Sequence, residues 1–203
     1  MCKQKIAIFG GSFNPVHIGH IQAAQLVLAQ LKDVDEVWLV PAAKPPHKPD
    51  ANLAPAKHRL AMLQLAAKGC PNVKVSDIEI NKPGNSYTYQ TLLLLQKQYP
   101  NLSFCLIMGA DMFLTLQTWK KPEVISNIAE IAVVPRQGAN TGQLTEQAAF
   151  LAKTYGTRSA ILNCGVADIS STELRAMLAN SPNNAKPFLN EEVYDYIAEN
   201  SVY

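Results

Sequence analysis

The sequence predicts an α/β fold, a mostly parallel sheet flanked by helices. Short apolar runs alternate with segments of helical periodicity along the chain, the pattern of right-handed strand–helix–strand crossovers. The first run, Ile6-Ala7-Ile8-Phe9, leads through Gly10-Gly11 into a helical pattern. Open α/β sheets bind phosphate at such strand–turn–helix junctions. Further polar motifs follow the second, fourth and fifth strands, so they converge with the first on the carboxyl rim of the sheet.

Lys5–Phe9 reads as the first strand. Gly19–Leu31 reads as a helix, because Ile21, Ala24, Leu28 and Leu31 recur at helical spacing. Glu36–Val40 is the second strand, and a proline-rich loop runs from Pro41 to Pro55. The second helix covers Pro55–Lys68, with Pro55 in its first turn. Its Leu60, Leu63 and Ala67 point inward, and His58 and Arg59 fall on its exposed face. Val73–Ile80 reads as a strand with a bend. Thr88–Tyr99 is a helix with Leu92, Leu95 and Tyr99 on one face. Ser103–Met108 is a buried strand ending at Gly109, Glu130–Val134 another ending at Pro135, and Ala160–Asn163 a short one. Gln137–Gly156 carries three glycines around one helix and is the segment expected to be least ordered. Two helices close the chain. Ser170 and Glu173 form a capping box before Leu174, Met177 and Leu178; Asn190 caps the last helix, with Leu189 and Tyr194 as a staple. Neither repeats nor low-complexity tracts occur. These elements assemble into one Rossmann-like domain spanning residues 1–203.

With 203 residues, 48% of them hydrophobic, such a domain buries a sizeable core without disulfides. Eighteen Lys and Arg against 16 Asp and Glu leave a net charge of +2, which demands neither nucleic acid nor a membrane surface as partner. The four cysteines are widely spaced and include no CxxC pair, so neither a metal site nor a disulfide framework is expected. No apolar run reaches the roughly 18 residues needed to span a bilayer, and the first strand begins too early to leave room for a signal peptide. A reduced, cytoplasmic protein is expected, with homo-oligomer formation left open.

His17 and His20, three apart at a helix start, can each donate an imidazole N–H to a phosphate oxygen. With the helix N-terminus they would stabilise charge building on a triphosphate. Gly19 between them leaves room for close approach. The loop after the second strand supplies cations at Lys44, His47 and Lys48, stiffened by Pro45, Pro46 and Pro49. Ser86 or Thr88 can cap a helix. Asp111, after Gly109, can bond a ribose or face a cation. Trp119 can stack on a flat ring. Arg136 ends a strand. Ser171, Thr172 and Arg175 sit at a helix N-terminus that can grip phosphates.

The stretch Gly10-Gly11-Ser12-Phe13-Asn14-Pro15-Val16-His17-Ile18-Gly19-His20 resembles the HxGH signature of the nucleotidyltransferase superfamily, in the form GGSFxPxHxGH of the bacterial nicotinate mononucleotide adenylyltransferases. Ile169-Ser170-Ser171-Thr172-Glu173-Leu174-Arg175 resembles the superfamily's second signature, ISSTxxR. Pro45-Pro46-His47-Lys48, Ser86-Tyr87-Thr88 and the spacing from Gly109 to Trp119 are similar to the pyridine-nucleotide branch. Asn14 stands where that family usually has Asp, and a turn-stabilising role is favoured for it.

The resemblance implies a nucleotidyltransferase fold. It implies adenylyl transfer from ATP, with Mg²⁺ carried on the nucleotide, to nicotinate mononucleotide. The products would be deamido-NAD and pyrophosphate. His17, His20 and Arg175 would carry the catalysis. ATP would lie on Gly10, Gly11, Ser12, Phe13, Gly109, Asp111, Arg136, Ile169, Ser171 and Thr172. The acceptor would lie on Lys44, His47, Lys48, Thr88 and Trp119. Two other readings stay open on the residues alone: a sister transferase acting on nicotinamide mononucleotide or phosphopantetheine, and a nucleotide-binding module without turnover.

Overall fold

The computed structural model describes residues 3–45, 53–82, 84–136, 138–163 and 166–203. In chain order the strands are β1 (Lys5–Gly11), β2 (Glu36–Pro41), β3 (Val73–Val75), β4 (Ser103–Gly109), β5 (Ala129–Val134) and β6 (Ser159–Ile161). The helices are α1 (Ile18–Gln30), α2 (Ala56–Ala67), α3 (Thr88–Gln98), α4 (Ala110–Leu114), α5 (Pro122–Ile128), α6 (Thr141–Tyr155), α7 (Ser171–Asn180), α8 (Pro182–Ala185) and α9 (Glu191–Asn200). The six strands form one parallel sheet in the order β3-β2-β1-β4-β5-β6. The order reverses direction between β1 and β4, and the loops leaving those two strands part there to open a crevice.

Both faces of the sheet are covered, which is why β4 reads as an unbroken apolar run. Its alternate residues serve two cores. Cys105 and Ile107 join Ala24, Val27, Met62, Leu63, Leu174 and Ile197 on one face. Phe104, Leu106 and Met108 join Leu92, Leu95, Phe113, Ile125 and Leu151 on the other. Burial pushes the Cys105 thiol up to about 12, so it stays protonated as a small core residue.

Several expectations are corrected. The strand expected over Val73–Ile80 ends at Val75. The Ser76 N–H takes the Leu39 carbonyl, and the chain then turns, with Ile80 N–H bonded to the Asp77 carbonyl. That turn carries Glu79 inward, where it accepts from the Thr91 hydroxyl at 2.6 Å. The buried face of α2 is Arg59, Met62, Leu63 and Ala66. His58 and Arg59 are therefore not an exposed face: Arg59 is 0% exposed, and a His58 ring nitrogen meets the Tyr196 hydroxyl at 2.9 Å. Reading Arg59 as polar, hence outside, rotated the helix by about one residue. On α1 the inward residues are Ala23, Ala24 and Val27. On α3, Tyr99 is 40% exposed, edge-on to Trp38. Helices α4, α5 and α8 went unread because none is long enough to show a full amphipathic repeat.

The segment around α6 is closed at both ends. Asn140 accepts from Gln143 N–H at its start, and Gly156 ends it in the left-handed conformation, φ 69°. The Ser170–Glu173 capping box and the Asn190 cap are both formed.

Candidate active site

β1 delivers Gly10 and Gly11 to the crevice at the level of Val40 and Pro41 on β2. The glycines matter through space rather than through φ. A side chain at Gly10 or Gly109 would project into open volume, whereas one at Gly11 would strike the Phe13 ring at 3.1 Å. The left-handed residue of the turn is Phe13 itself, φ 46°. Gly19 lines the rim cavity beside the two histidines, and a Cβ there would also crowd the Ala167 carbonyl and the His17 ring at 3.1 Å.

His17 is the N-cap of α1 and His20 lies one turn later. Their ring centroids are 3.7 Å apart. The His17 backbone N–H donates to His20 Nδ1 at 3.2 Å. A nitrogen that accepts carries no proton, so the neutral His20 ring holds its hydrogen on Nε2. His17 is 6% exposed. Burial, reinforced by the Arg136 charge and opposed by Glu173, lowers its pKa to about 4, so it is neutral at pH 7.

Two adjoining cavities occupy the rim. The larger, about 510 Å³, is lined by Gly10, Gly11, Ser12, His17, His20, Gly109, Asp111, Arg136, Ile169, Ser171 and Thr172, among others. The smaller, about 280 Å³, is lined by Thr88, Trp119, Tyr87, Ser86, Glu79, Pro45 and Lys120 together with the same glycine wall. Phe9, Gly10, Gly11, Ser12, Ile107, Met108, Gly109 and Met112 face both. The structure thus brings together all the ATP residues expected from sequence except Phe13, which is buried beneath the turn with its ring edge-on to Phe9 and His20.

Arg175 stands behind the rim and does not line either cavity. Its Nη1 donates to the Asn14 carbonyl at 2.8 Å and the Ser171 carbonyl at 3.1 Å, and its Nη2 to Thr172 Oγ1 at 3.2 Å. Ser171 Oγ donates to the Pro15 carbonyl at 2.9 Å. The start of α7 is thereby stitched to the loop before His17. Arg136 lies 3.6 Å from Asp168 at the mouth of the larger cavity.

Lys44 is exposed, and its backbone joins Ser86: Ser86 N–H donates to the Lys44 carbonyl at 2.9 Å. His47 and Lys48 lie outside the described residues. Sequence reasoning missed Glu79, Tyr87 and Lys120 in the smaller cavity. The Lys120 ammonium sits 4.4 Å from the Tyr87 ring centroid, a cation–π contact. No periodic signal marks these residues, because they sit between the regular elements. Among the described residues no group of three or more His, Cys, Asp or Glu side chains is placed to hold a metal ion. No helix among them is long and apolar enough to cross a membrane.

Residues 8–177 match the family described as Cytidylyltransferase-like. A protein of Christiangramia forsetii named "Probable nicotinate-nucleotide adenylyltransferase" is 36% identical over 200 residues, covering 98% of each chain. One of the same name from Clostridium acetobutylicum is 34% identical, covering 98% of this chain and 99% of its own. This chain belongs to the nicotinate-nucleotide adenylyltransferase family. The fold agrees: the nicotinic acid mononucleotide adenylyltransferase of Plasmodium falciparum, solved complexed with NaAD, superposes with a TM-score of 0.80 at 21% identity, covering 98% of this chain and 97% of that one. In this family member the signature histidines, the glycine wall and the start of α7 surround one cavity, and the Ser86–Thr88 and Trp119 segments surround its neighbour.

Proposed function

We propose that the chain, acting as one domain in the cytoplasm, transfers the adenylyl group of MgATP to nicotinate mononucleotide, releasing deamido-NAD and pyrophosphate. The observation that carries this reading is the wall shared by the two cavities at Gly10, Gly11 and Gly109. Ligands filling both would meet there through their phosphates, beside a backbone that carries no side chain at Gly10, Gly11 or Gly109. Family membership supplies the identity of the two ligands.

The 5′-phosphate oxygen of the mononucleotide attacks the α-phosphorus of ATP in line, and the bond from that phosphorus to the bridging oxygen breaks as pyrophosphate departs. The attacking oxygen is already anionic, so the work of the protein is positioning and charge stabilisation. His20, with its proton on Nε2, and His17 take the triphosphate from the N-terminus of α1. Ser171 and Thr172 take it from that of α7. Arg136 adds charge at the mouth, Arg175 holds the Asn14 carbonyl at the back, and Asp111 faces the ribose. Thr88 and Trp119 take the nicotinate ring, with cations from Lys44, His47 and Lys48 on the acceptor side. Mg²⁺ comes as part of the ATP substrate.

Pyrophosphate release with MgATP tests this, comparing nicotinate mononucleotide, nicotinamide mononucleotide and phosphopantetheine. Strong preference for the first is the expected result. Preference for another acceptor overturns the ring pocket, and silence with all three overturns the transferase reading.

A further inference from the structure

Arg59 is the largest fully buried side chain among the described residues, and none of their carboxylates forms an ion pair with it. It spends its guanidinium on three backbone carbonyls. Nε donates to Ala54 at 2.9 Å, Nη1 to Ser12 at 2.9 Å and Nη2 to Ala43 at 3.3 Å. These carbonyls belong to separate stretches of the rim. Ser12 faces both cavities. Ala43 lies just after β2, between the acceptor-cavity residues Ala42 and Pro45, and its N–H donates to Ser86 Oγ at 3.0 Å. Ala54 closes the same loop before α2, and its N–H donates to Asn14 Oδ1 at 3.0 Å. One planar fork therefore joins the phosphate loop to both ends of the acceptor loop.

A desolvated cation is a costly way to fill space; an apolar side chain of similar volume does it more cheaply. What the guanidinium adds is donors in fixed directions, which a lysine ammonium lacks. Resting on the adenylyl-transfer reading, we propose that Arg59 is a positioning residue that fixes the spacing between the ATP half and the acceptor half of the site. Each half keeps its own ligand contacts without Arg59. In-line transfer between the halves does not keep its geometry, and an error near 1 Å in the placement of reacting groups is enough to cost about a hundredfold in rate.

The test uses Arg59→Lys and Arg59→Met in the full chain, with turnover expressed per folded molecule. Calorimetry measures binding of ATP alone, of nicotinate mononucleotide alone, and of deamido-NAD, which spans both halves. The expected result is a fall in kcat of about 10- to 100-fold, with binding of each single-half ligand within about threefold of the unsubstituted protein. Deamido-NAD binding falls with kcat, and Arg59→Lys recovers part of what Arg59→Met loses. A folded Arg59→Met protein with kcat and deamido-NAD affinity within threefold of native overturns the proposal. So does failure of both variants to fold, which would assign Arg59 to the core alone. An unsubstituted protein silent in the same assay would instead overturn the functional reading on which the proposal rests.

Discussion

The Tyr203 hydroxyl donates to Asn14 Oδ1 at 2.7 Å, joining residues 189 positions apart at the turn that follows β1. The same oxygen accepts the Ala54 N–H, and the Asn14 carbonyl accepts from Arg175. Asn14 is 4% exposed, so it works as a buried acceptor that receives two donors on one side-chain oxygen. Burial keeps the Tyr203 hydroxyl protonated by pushing its pKa above the ordinary value.

Tyr203→Phe removes one donor to Asn14 Oδ1 and leaves that oxygen the Ala54 N–H. A loss of about 1 kcal/mol is expected, read by denaturant unfolding, with the fold kept. Asn14→Asp should be tolerated at neutral pH, because both partners of Oδ1 are donors and a carboxylate accepts from both. Asn14→Leu leaves the Ala54 N–H and the Tyr203 O–H unpaired and should cost about 2–4 kcal/mol. An Asn14→Asp protein that unfolds more readily than Asn14→Leu would contradict this account.

His20→Ala removes an Nε2–H donor from the larger cavity while disturbing the α1 start only slightly. Turnover should fall by about 10²- to 10³-fold, the usual cost of one donor aimed at developing charge. Thermal unfolding measured on the same sample should shift by only a few degrees. Unchanged turnover would remove His20 from the mechanism.

His17 gives the ligand-free protein a pH signature. Its folded pKa, about 4, lies below the ordinary histidine value near 6.5. Between these values the unfolded chain binds more protons than the folded one, so the folded state loses stability as pH falls from about 6.5 towards 4. His17→Gln should flatten that part of the profile of Tm against pH. Triphosphate beside the ring should raise the His17 pKa, visible in its imidazole NMR shifts on adding ATP.

Trp119→Ala and Thr88→Ala test the smaller cavity. Loss of stacking on an aromatic base is typically worth about 1–3 kcal/mol, so Trp119→Ala should raise KM for nicotinate mononucleotide by roughly 5- to 150-fold and leave KM for ATP nearly unchanged. Equal increases for both substrates would place Trp119 in the core instead.

The first turn and its histidines were legible because glycine and histidine are concentrated in one contiguous stretch, Gly10 to His20, directly after an apolar run. The capping box at Ser170 was legible for the same reason: both partners lie within one helical turn. Arg59 was misread because its partners, Ser12 and Ala43, are 47 and 16 positions away, and local polarity pointed it outward. Arg175 was read as reaching forward to phosphate, and the folded chain turns at least two of its donors back onto Asn14 and Ser171. Glu79 was hidden inside an expected strand.

Local pattern alone carried the alternation of strand and helix, the parallel sheet, and the convergence of polar motifs on one rim. These follow from periodicity and short-range sterics, which act between near neighbours. The strand order, the division of the rim into two cavities, the turning of Arg59 inward and the clasp between Asn14 and Tyr203 are long-range matters. They depend on which backbone groups are left without partners once the sheet has closed: a buried C=O accepts from whichever donor the packing brings to it, and a buried N–H donates to whichever acceptor.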